Sequence, residues 1–195
     1  NRYLQQAPKF TFERLIQGKF TSEISNYYSD QFPLRDVFVG IKAAAEIGAL
    51  KKENNSVVLG KNGYIIKRID YPDFGMIDKN LTAIAVFGKA MDELNIPYSV
   101  AMAGRNVDVL QRYLPALYPN YLSDNLWNHF ESKMAQDTYT DYIDLRTPLK
   151  SIIDGDTSEQ IYYKTDHHWT TLGAYYAYVE IMKSFGENPM PLNYF

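Results

Sequence analysis

Apolar residues along this chain follow two different periods, which predict two kinds of secondary structure. Between Leu81 and Leu94, and again between Leu172 and Met182, they recur every three or four positions, as on one face of an α-helix. Short apolar runs at 98–103 and 142–145 are instead typical of buried strands. Because strands alternate with helices, we predict βαβ units, a largely parallel sheet and an α/β fold.

Turn residues divide the rest of the sequence into further elements. The segments 56–59 and 64–68 flank Gly-Lys-Asn-Gly, which predicts a β-hairpin. A helix is predicted to begin at Ser29 or Asp30, with Pro33 in its first turn, because proline is well tolerated there. Further helices are predicted at 107–114, at 122–135 and from Pro148 onward.

Length and composition favour one globular domain spanning 1–195. The 195 residues are 46% hydrophobic, which suits a sizeable core, and an irregular amphipathic segment at 1–26 is predicted to pack on that domain. The net charge of −3, without a basic cluster, argues against a nucleic-acid partner. No apolar run approaches the roughly 20 residues that cross a bilayer, so we expect no membrane insertion by this segment. The absence of cysteine excludes thiol catalysis by this chain.

Reactive side chains are concentrated in one stretch, Tyr163–Thr171, which holds two of the three histidines beside a carboxylate. Asp166 and His168 are two positions apart, so in an extended segment their side chains project to the same side and His167 to the other. A carboxylate that accepts from imidazole Nδ1–H leaves Nε2 free to take a proton from a hydroxyl nucleophile. We therefore predict Asp166 as the orienting acid and His168 as the base, with Thr170 or Thr171 capping the following helix.

Other interpretations of this stretch remain open. An Asp-x-His sequence is often only a hydrogen-bonded turn before a helix. A metal site is less favoured, because His167 and His168 are predicted to diverge and His129 is the only other imidazole. We predict neither a metal nor another cofactor.

The segment Asp166-His167-His168-Trp169 resembles the signature of the DHHW protein family. Through it, the chain is similar to the alginate O-acetyltransferase-like branch of the SGNH hydrolase superfamily, where an Asp-x-His-Trp motif carries the acid and base. The resemblance also covers 1–8, 30–36, 60–65 and 161–163. It implies an SGNH hydrolase-like three-layer α/β/α sandwich.

The nucleophile that this resemblance implies is not recognisable in the sequence. In these relatives the serine belongs to a Gly-Asp-Ser block after the motif, whereas here only Ser184 follows it. We therefore expect the chain to be the N-terminal part of a longer protein, with an incomplete sheet. Asp154–Ser158 contains Gly-Asp-Thr and is typical of a surface turn, although Ser158 could act if the turn folded back against His168.

Several residues could support the acid and base. Arg105 and Asn106 follow a predicted strand, where either could donate to an oxyanion, and Asn106 could equally cap a helix. The rings of Tyr163 and Trp169 could stack on sugars or simply pack in the core, and Trp169 could brace His168. His167 is included as a supporting residue.

The resemblance to this family implies an exported protein that acts on acyl esters of a cell-surface or secreted polysaccharide. The resemblance implies O-acetyl transfer or ester hydrolysis through a serine acyl-enzyme. It also implies a partner membrane protein that donates the acyl group, and an extracytoplasmic location through an anchor outside this segment. The alternative is a non-catalytic surface module that keeps the fold and binds glycan.

Overall fold

The computed structural model describes residues 4–155 and 158–194, which fall into two compact units, Asn1–Lys51 and Lys52–Phe195. The first unit consists of the helices α1 (Phe12–Ile16), α2 (Lys19–Gln31) and α3 (Arg35–Gly48). Each unit is described separately below. The predicted packing of 1–26 on the rest of the chain stays a prediction.

Two helices occupy half of the segment 1–26 that we predicted to be irregular, so that part of the prediction was wrong. The Thr11 side chain accepts a hydrogen bond from the Arg14 N–H and caps α1. Gly18 then adopts φ 70°, a conformation that glycine tolerates, and the chain turns into α2. The capping Thr11 and the turn residue Gly18 are both visible in the sequence. The aromatic residues of this segment are scattered, so its apolar positions did not show a clear helical period.

The predicted helix through Pro33 is interrupted at that residue. Proline disfavours the helical conformation for the residue before it, and Phe32 has φ −59° and ψ 122°. Leu34 follows at φ 57°, and α3 begins only at Arg35. Proline therefore separates two helices here instead of opening one.

In the second unit, the predicted hairpin is confirmed and gains a third strand. β1 (Glu53–Asn54), β2 (Val57–Leu59) and β3 (Ile65–Lys67) form an antiparallel sheet in that order. Val58 pairs with Ile66, and both side chains are fully buried, so one face of the sheet covers the core.

A second sheet is the parallel pair β4 (Ser99–Met102) and β5 (Asp141–Asp144). Its strands are joined through α5 (Asn106–Val109) and α6 (Tyr121–Met134), which makes the predicted βαβ unit. The helix α4 (Phe74–Glu93) precedes β4. The side chains that α4 and α6 bury together form one cluster: Leu81, Trp127, Phe130 and Met134. An α/β fold is confirmed, with partial sheets in the described residues.

The largest core cluster joins the antiparallel sheet to α5, to α7 (Arg146–Asp154) and to the chain just before the Asp-His-His-Trp motif. Its fully buried members include Val109, Leu149 and Ile161. α7 begins two residues before Pro148 because Asp144 Oδ1 accepts from the N–H groups of Arg146 and Thr147.

Backbone pairing holds the motif at both ends. Tyr162 and Trp169 form an isolated antiparallel bridge, the Thr170 N–H donates to Ile161 O at 2.9 Å, and the Tyr163 N–H donates to His168 O at 3.1 Å. The Thr170 side chain accepts from the Gly173 N–H and caps α8 (Thr171–Ser184), as predicted. Residues 163–168 therefore form a closed loop, which we call the motif loop.

None of the helices within residues 4–155 and 158–194 combines the length and the apolar character that a membrane crossing requires.

Replacing Gly173 by alanine should destabilise the backbone bridge and the start of α8, which together hold the ends of the motif loop. A Cβ at this position would lie 2.2 Å from Ile161 O and 3.0 Å from Trp169 Cβ, so the bridge or α8 would have to shift. We expect Gly173→Ala to lower the free energy of unfolding by about 1–3 kcal/mol in urea denaturation. Gly75→Ala is the matched control, because its Cβ would meet only Asp73 Oδ1, at 3.4 Å. Equal stability of the two variants would contradict the prediction.

Candidate active site

Asp166 and His168 meet at hydrogen-bond distance in the motif loop. His168 Nδ1 lies 2.7 Å from Asp166 Oδ1, and the His168 backbone N–H donates to the same oxygen at 3.0 Å. The His168 side chain is 66% exposed, so its ring is accessible from solvent. The structure thus brings the two residues together as predicted, while their catalytic roles stay a prediction.

The same contacts hold Asp166 in its ionised form. The His168 backbone N–H and then the His168 ring lower the pKa of the Asp166 carboxyl below its ordinary value. Because the folded pKa is depressed, this interaction is fully present above the ordinary carboxyl pKa and is lost as pH falls through the folded value. The backbone contact is also an Asx-type turn, so the turn interpretation describes part of the same arrangement.

His167 does not point away from this pair, and our prediction that the two imidazoles diverge was wrong. His167 Nδ1 lies 3.3 Å from Asp166 Oδ1, and the rings of His167 and His168 are 4.0 Å apart. Side chains alternate only in extended backbone, whereas residues 164–168 form a series of bends. The loop therefore gathers all three side chains on one side.

A cavity of about 530 Å³ lies beside the motif loop. Thr165, Asp166 and His167 line it from the loop, and Asn106 lines it from the start of α5. The antiparallel sheet and its first turn supply the remaining wall: Asn55, Ser56, Val57, Ile65 and Lys67. His168 is not one of the lining residues, but it contacts two that are, Asp166 and His167.

Asn106 is the most unusual polar group of the cavity. Its side chain is 1% exposed, and neither Nδ2 nor Oδ1 has a hydrogen-bond partner among the residues that the structure describes. A buried amide without partners costs free energy, so the position of Asn106 needs a physical explanation, and binding of a ligand oxygen would supply one. The capping role that we considered for Asn106 was wrong, because Arg105 occupies the N-cap position.

Arg105 is held by a neighbouring carboxylate. Its Nε and Nη2 donate to the two oxygens of Asp108 at 2.8 and 2.9 Å, and its backbone N–H donates to the same carboxylate. Asp108 is fully buried and also accepts from Ser123 Oγ at 2.6 Å. Arg105 therefore fixes the start of α5, which positions Asn106, and the oxyanion role considered for Arg105 stays a prediction.

Trp169 and Tyr163 contribute to packing and backbone pairing. Trp169 is half-buried and packs against two core clusters, and the bracing of His168 considered for it stays a prediction. Tyr163 is 46% exposed and is paired with His168 through its backbone. Neither ring is part of the cavity wall described above. A stacking role of either ring stays a prediction.

Sequence reasoning missed two groups that place the site. The Tyr162 hydroxyl donates to Gly104 O at 2.6 Å, which ties the motif loop to the end of β4, and burial raises its pKa. The Ile65 N–H donates to Lys164 O at 2.6 Å, which joins the antiparallel sheet to the loop. The only sequence signal for the Tyr162 contact is the apolar pair Ile161-Tyr162 before the motif. The contact between Ile65 and Lys164 has no sequence signal.

In the described residues, no candidate serine completes a triad with Asp166 and His168. Ser184 Oγ donates to Ile181 O on α8, which is a structural bond. Ser158 is exposed, but Asp156 and Thr157 of the predicted turn lie outside the described residues. Ser56 lines the cavity at φ 64° in the turn between β1 and β2, a position that our reading of 56–59 as a strand concealed.

Comparison with known proteins identifies a related family. The family described as "SGNH hydrolase-like domain, acetyltransferase AlgX" matches residues 57–193. Probable alginate O-acetylase AlgJ of Pseudomonas fluorescens is 23% identical over 183 residues, which cover 92% of this chain and 45% of the relative. The chain thus spans less than half the length of this curated relative.

Solved structures confirm the fold class. Bacillus cereus PatB1 with a sulfonyl adduct has a TM-score of 0.55 at 25% identity, over 67% of this chain and 43% of PatB1. The O-acetyltransferase domain of Pseudomonas putida AlgJ has a TM-score of 0.57 at 22% identity, over 67% of this chain and 47% of that domain. The SGNH hydrolase-like fold expected from the sequence is therefore shown.

The contact with Asp166 should fix the neutral His168 ring in its Nδ1–H tautomer. Nitrogen-15 NMR should show an unprotonated Nε2 on His168, and Asp166→Ala should shift the ring towards the Nε2–H tautomer. His129 is a matched control in the same spectrum, because its Nε2 faces Asp78 Oδ1 at 2.6 Å and should stay protonated in both proteins. An Nε2–H tautomer of His168 before the substitution would contradict this assignment.

Proposed function

Because the chain belongs to the family of SGNH hydrolase-like domains of the acetyltransferase AlgX, we propose that it supplies the acid and the base of an O-acyl transfer on a polysaccharide. The observation that carries this proposal is the exposed Asp166–His168 pair beside a cavity with an unpartnered buried amide. The relatives' printed name, alginate O-acetylase, supports a polysaccharide acceptor.

In the proposed reaction, His168 Nε2 takes the proton of a serine hydroxyl while the serine Oγ attacks the acyl carbonyl. The resulting imidazolium gives this proton to the leaving alcohol, and an acyl-enzyme remains. An acceptor hydroxyl then attacks the acyl-enzyme, passes its proton to His168, and the serine recovers a proton as the ester is released. A sugar hydroxyl as acceptor gives transfer, and water gives hydrolysis.

Asp166 acts as an orienting group throughout this cycle. Its carboxylate holds His168 Nδ1–H and stabilises the imidazolium that forms after each proton transfer. The lowered pKa of Asp166 keeps the carboxylate from taking the proton itself. Asp166 and His168 therefore have separate roles although they share one hydrogen bond.

Asn106 is the proposed donor to the developing oxyanion. Its Nδ2 is buried in the cavity wall and has no partner within residues 4–155 and 158–194, so the amide can bind a ligand oxygen without first breaking a contact there. Arg105 and Asp108 position it by fixing the first turn of α5. His167 is proposed to support the substrate at the cavity rim.

The serine nucleophile is proposed to lie outside the sequence given, which agrees with the structural role of Ser184. The proposal extends to an extracytoplasmic location and to a membrane protein that donates the acyl group. The location is supported by the similarity to the AlgJ proteins, whereas the acyl-donor protein rests only on the family resemblance of the sequence motif. The non-catalytic alternative has less support, because Trp169 is half-buried and offers a sugar only part of its ring.

His168→Ala should remove the base. In a protein that carries this chain together with the nucleophile, release of acetate from an aryl acetate should fall by about 10²-fold to 10⁴-fold. The control is His129→Gln, which removes a carboxylate-paired histidine outside the motif loop, on α6, and should leave the rate unchanged. Undiminished turnover of His168→Ala would end the proposal. Polysaccharide binding without turnover in the unaltered protein would favour the binding module.

The substitution Asn106→Leu tests whether the Asn106 amide binds a ligand or only stabilises the fold. Since Leu is close in size and removes two unsatisfied polar atoms, the free energy of unfolding should stay the same or rise. The rate of acetate release should nevertheless fall by about 10²-fold to 10³-fold, mainly in kcat. Ser123→Ala is the contrasting control, because it takes a partner from buried Asp108 and should cost about 1–3 kcal/mol of stability. A parallel loss of stability and activity in Asn106→Leu would contradict the assignment.

A further inference from the structure

We propose that Asp166, His167 and His168 bind a divalent transition-metal ion of the Zn²⁺ type, and that the bound ion blocks the base. One ligand atom from each of these residues lies within 4.8 Å of the other two. Metal binding itself is independent of the proposed function, whereas the inhibition that follows from it rests on His168 being the base.

The distances in the motif loop are close to those of a metal centre. Zinc binds imidazole nitrogen at about 2.0–2.1 Å and carboxylate oxygen at about 2.0–2.2 Å, so neighbouring ligands of a tetrahedral ion lie about 3.3 Å apart. His167 Nδ1 is already 3.3 Å from Asp166 Oδ1, and His168 Nδ1 is 2.7 Å from it. The second distance has to open by roughly half an ångström, and the two imidazole nitrogens, which lie within 4.8 Å of each other, have to settle at the same spacing.

The loop can make this adjustment and leaves room for the ion. The side chains of Asp166, His167 and His168 are 49%, 67% and 66% exposed, so none is locked by packing. The motif loop is instead held through its ends, by the bridge between Tyr162 and Trp169. Three ligands from one short loop leave the fourth position of a tetrahedral ion to water.

The ligand atoms select the class of ion. Two imidazole nitrogens and one carboxylate oxygen suit Zn²⁺, Cu²⁺ or Ni²⁺. Mg²⁺ and Ca²⁺ prefer oxygen ligands and would find only one carboxylate here. An ordinary acid–base pair offers a metal ion only two ligands. Here His167 adds a third.

Metal binding and base function require different tautomers of His168. As a base, neutral His168 carries its proton on Nδ1 and keeps the lone pair of Nε2 free. An ion on Nδ1 needs the lone pair of that nitrogen, so the ring proton moves to Nε2 and the imidazole stays neutral. Nε2 then cannot accept the serine proton, and the hydrogen bond from Nδ1 to Asp166 is replaced by the metal.

Calorimetric titration with ZnCl₂ tests the site directly, using the protein that carries this chain. We expect Zn²⁺ to bind, MgCl₂ to give no comparable signal, and His167→Ala to weaken zinc binding by about tenfold or more. His129→Gln should keep the affinity, because that histidine pairs with Asp78 elsewhere in the fold. Nitrogen-15 NMR should show that zinc moves the His168 proton from Nδ1 to Nε2. Unchanged affinity in His167→Ala, or no change at His168, would overturn the proposal.

Inhibition is measured separately from binding. The rate of each variant is compared with its own metal-free rate, so that any effect of His167 on turnover cancels. Zinc should inhibit the unaltered protein, a chelator should restore the rate, and His167→Ala should need about tenfold more zinc for the same loss. Zinc binding in a protein without turnover would support the metal site and count against the proposed function. Turnover that persists with zinc bound would overturn the blocking role.

Discussion

The candidate site depends on the backbone closure of the motif loop. Ile161 and Tyr162 are buried in the core, and their pairing with Trp169 and Thr170 returns the chain to the start of α8. The contact between Asp166 and His168 could not hold the loop by itself, because exposed charged pairs contribute little to stability. The core therefore fixes the loop ends, and the hydrogen bond only orients side chains within a loop that is already closed.

This division explains how the site can be accessible and ordered at once. The Tyr162 hydroxyl is bound to Gly104 O, and Ile65 N–H is bound to Lys164 O, so the loop is fixed to both sheets of the second unit. The cavity forms where these contacts bring the antiparallel sheet beside the start of α5. Asn106 then lies in its wall with no hydrogen-bond partner in the described part of the chain, a local conflict of the kind found at functional sites.

The sequence predicted elements whose signals are local. The hairpin, the parallel pair of strands and α8 follow from turn residues and apolar periods, and they are confirmed. The pairing of Asp166 with His168 was predicted from their spacing, and it survives in a loop that is not extended. His167 was misplaced because the same spacing rule fails in bends. The interruption of the helix at Pro33 was not predicted, because we considered proline only as a residue of the first helical turn.

The cavity could not have been predicted in the same way. Asn55, Ser56 and Lys67 reach the motif loop only through contacts between distant parts of the chain, for which the sequence offers no periodic signal. The buried state of Asn106 likewise depends on the pair Arg105–Asp108, and their spacing is also compatible with an exposed turn. Polar residues that gain a function from tertiary contacts therefore look the same in sequence as ordinary turn and capping residues.

The exposure of His168 also constrains the choice between transfer and hydrolysis. An acyl-enzyme beside a ring that is 66% exposed is open to water, which is far more concentrated than any sugar hydroxyl. Transfer therefore requires that water be excluded while the acyl group is held. Since the motif loop itself does not cover the ring, transfer under the proposed function requires a cover from elsewhere, such as the bound polymer. Binding of the acceptor would then complete the site, and the proposed acid–base pair would serve transfer only when it is covered.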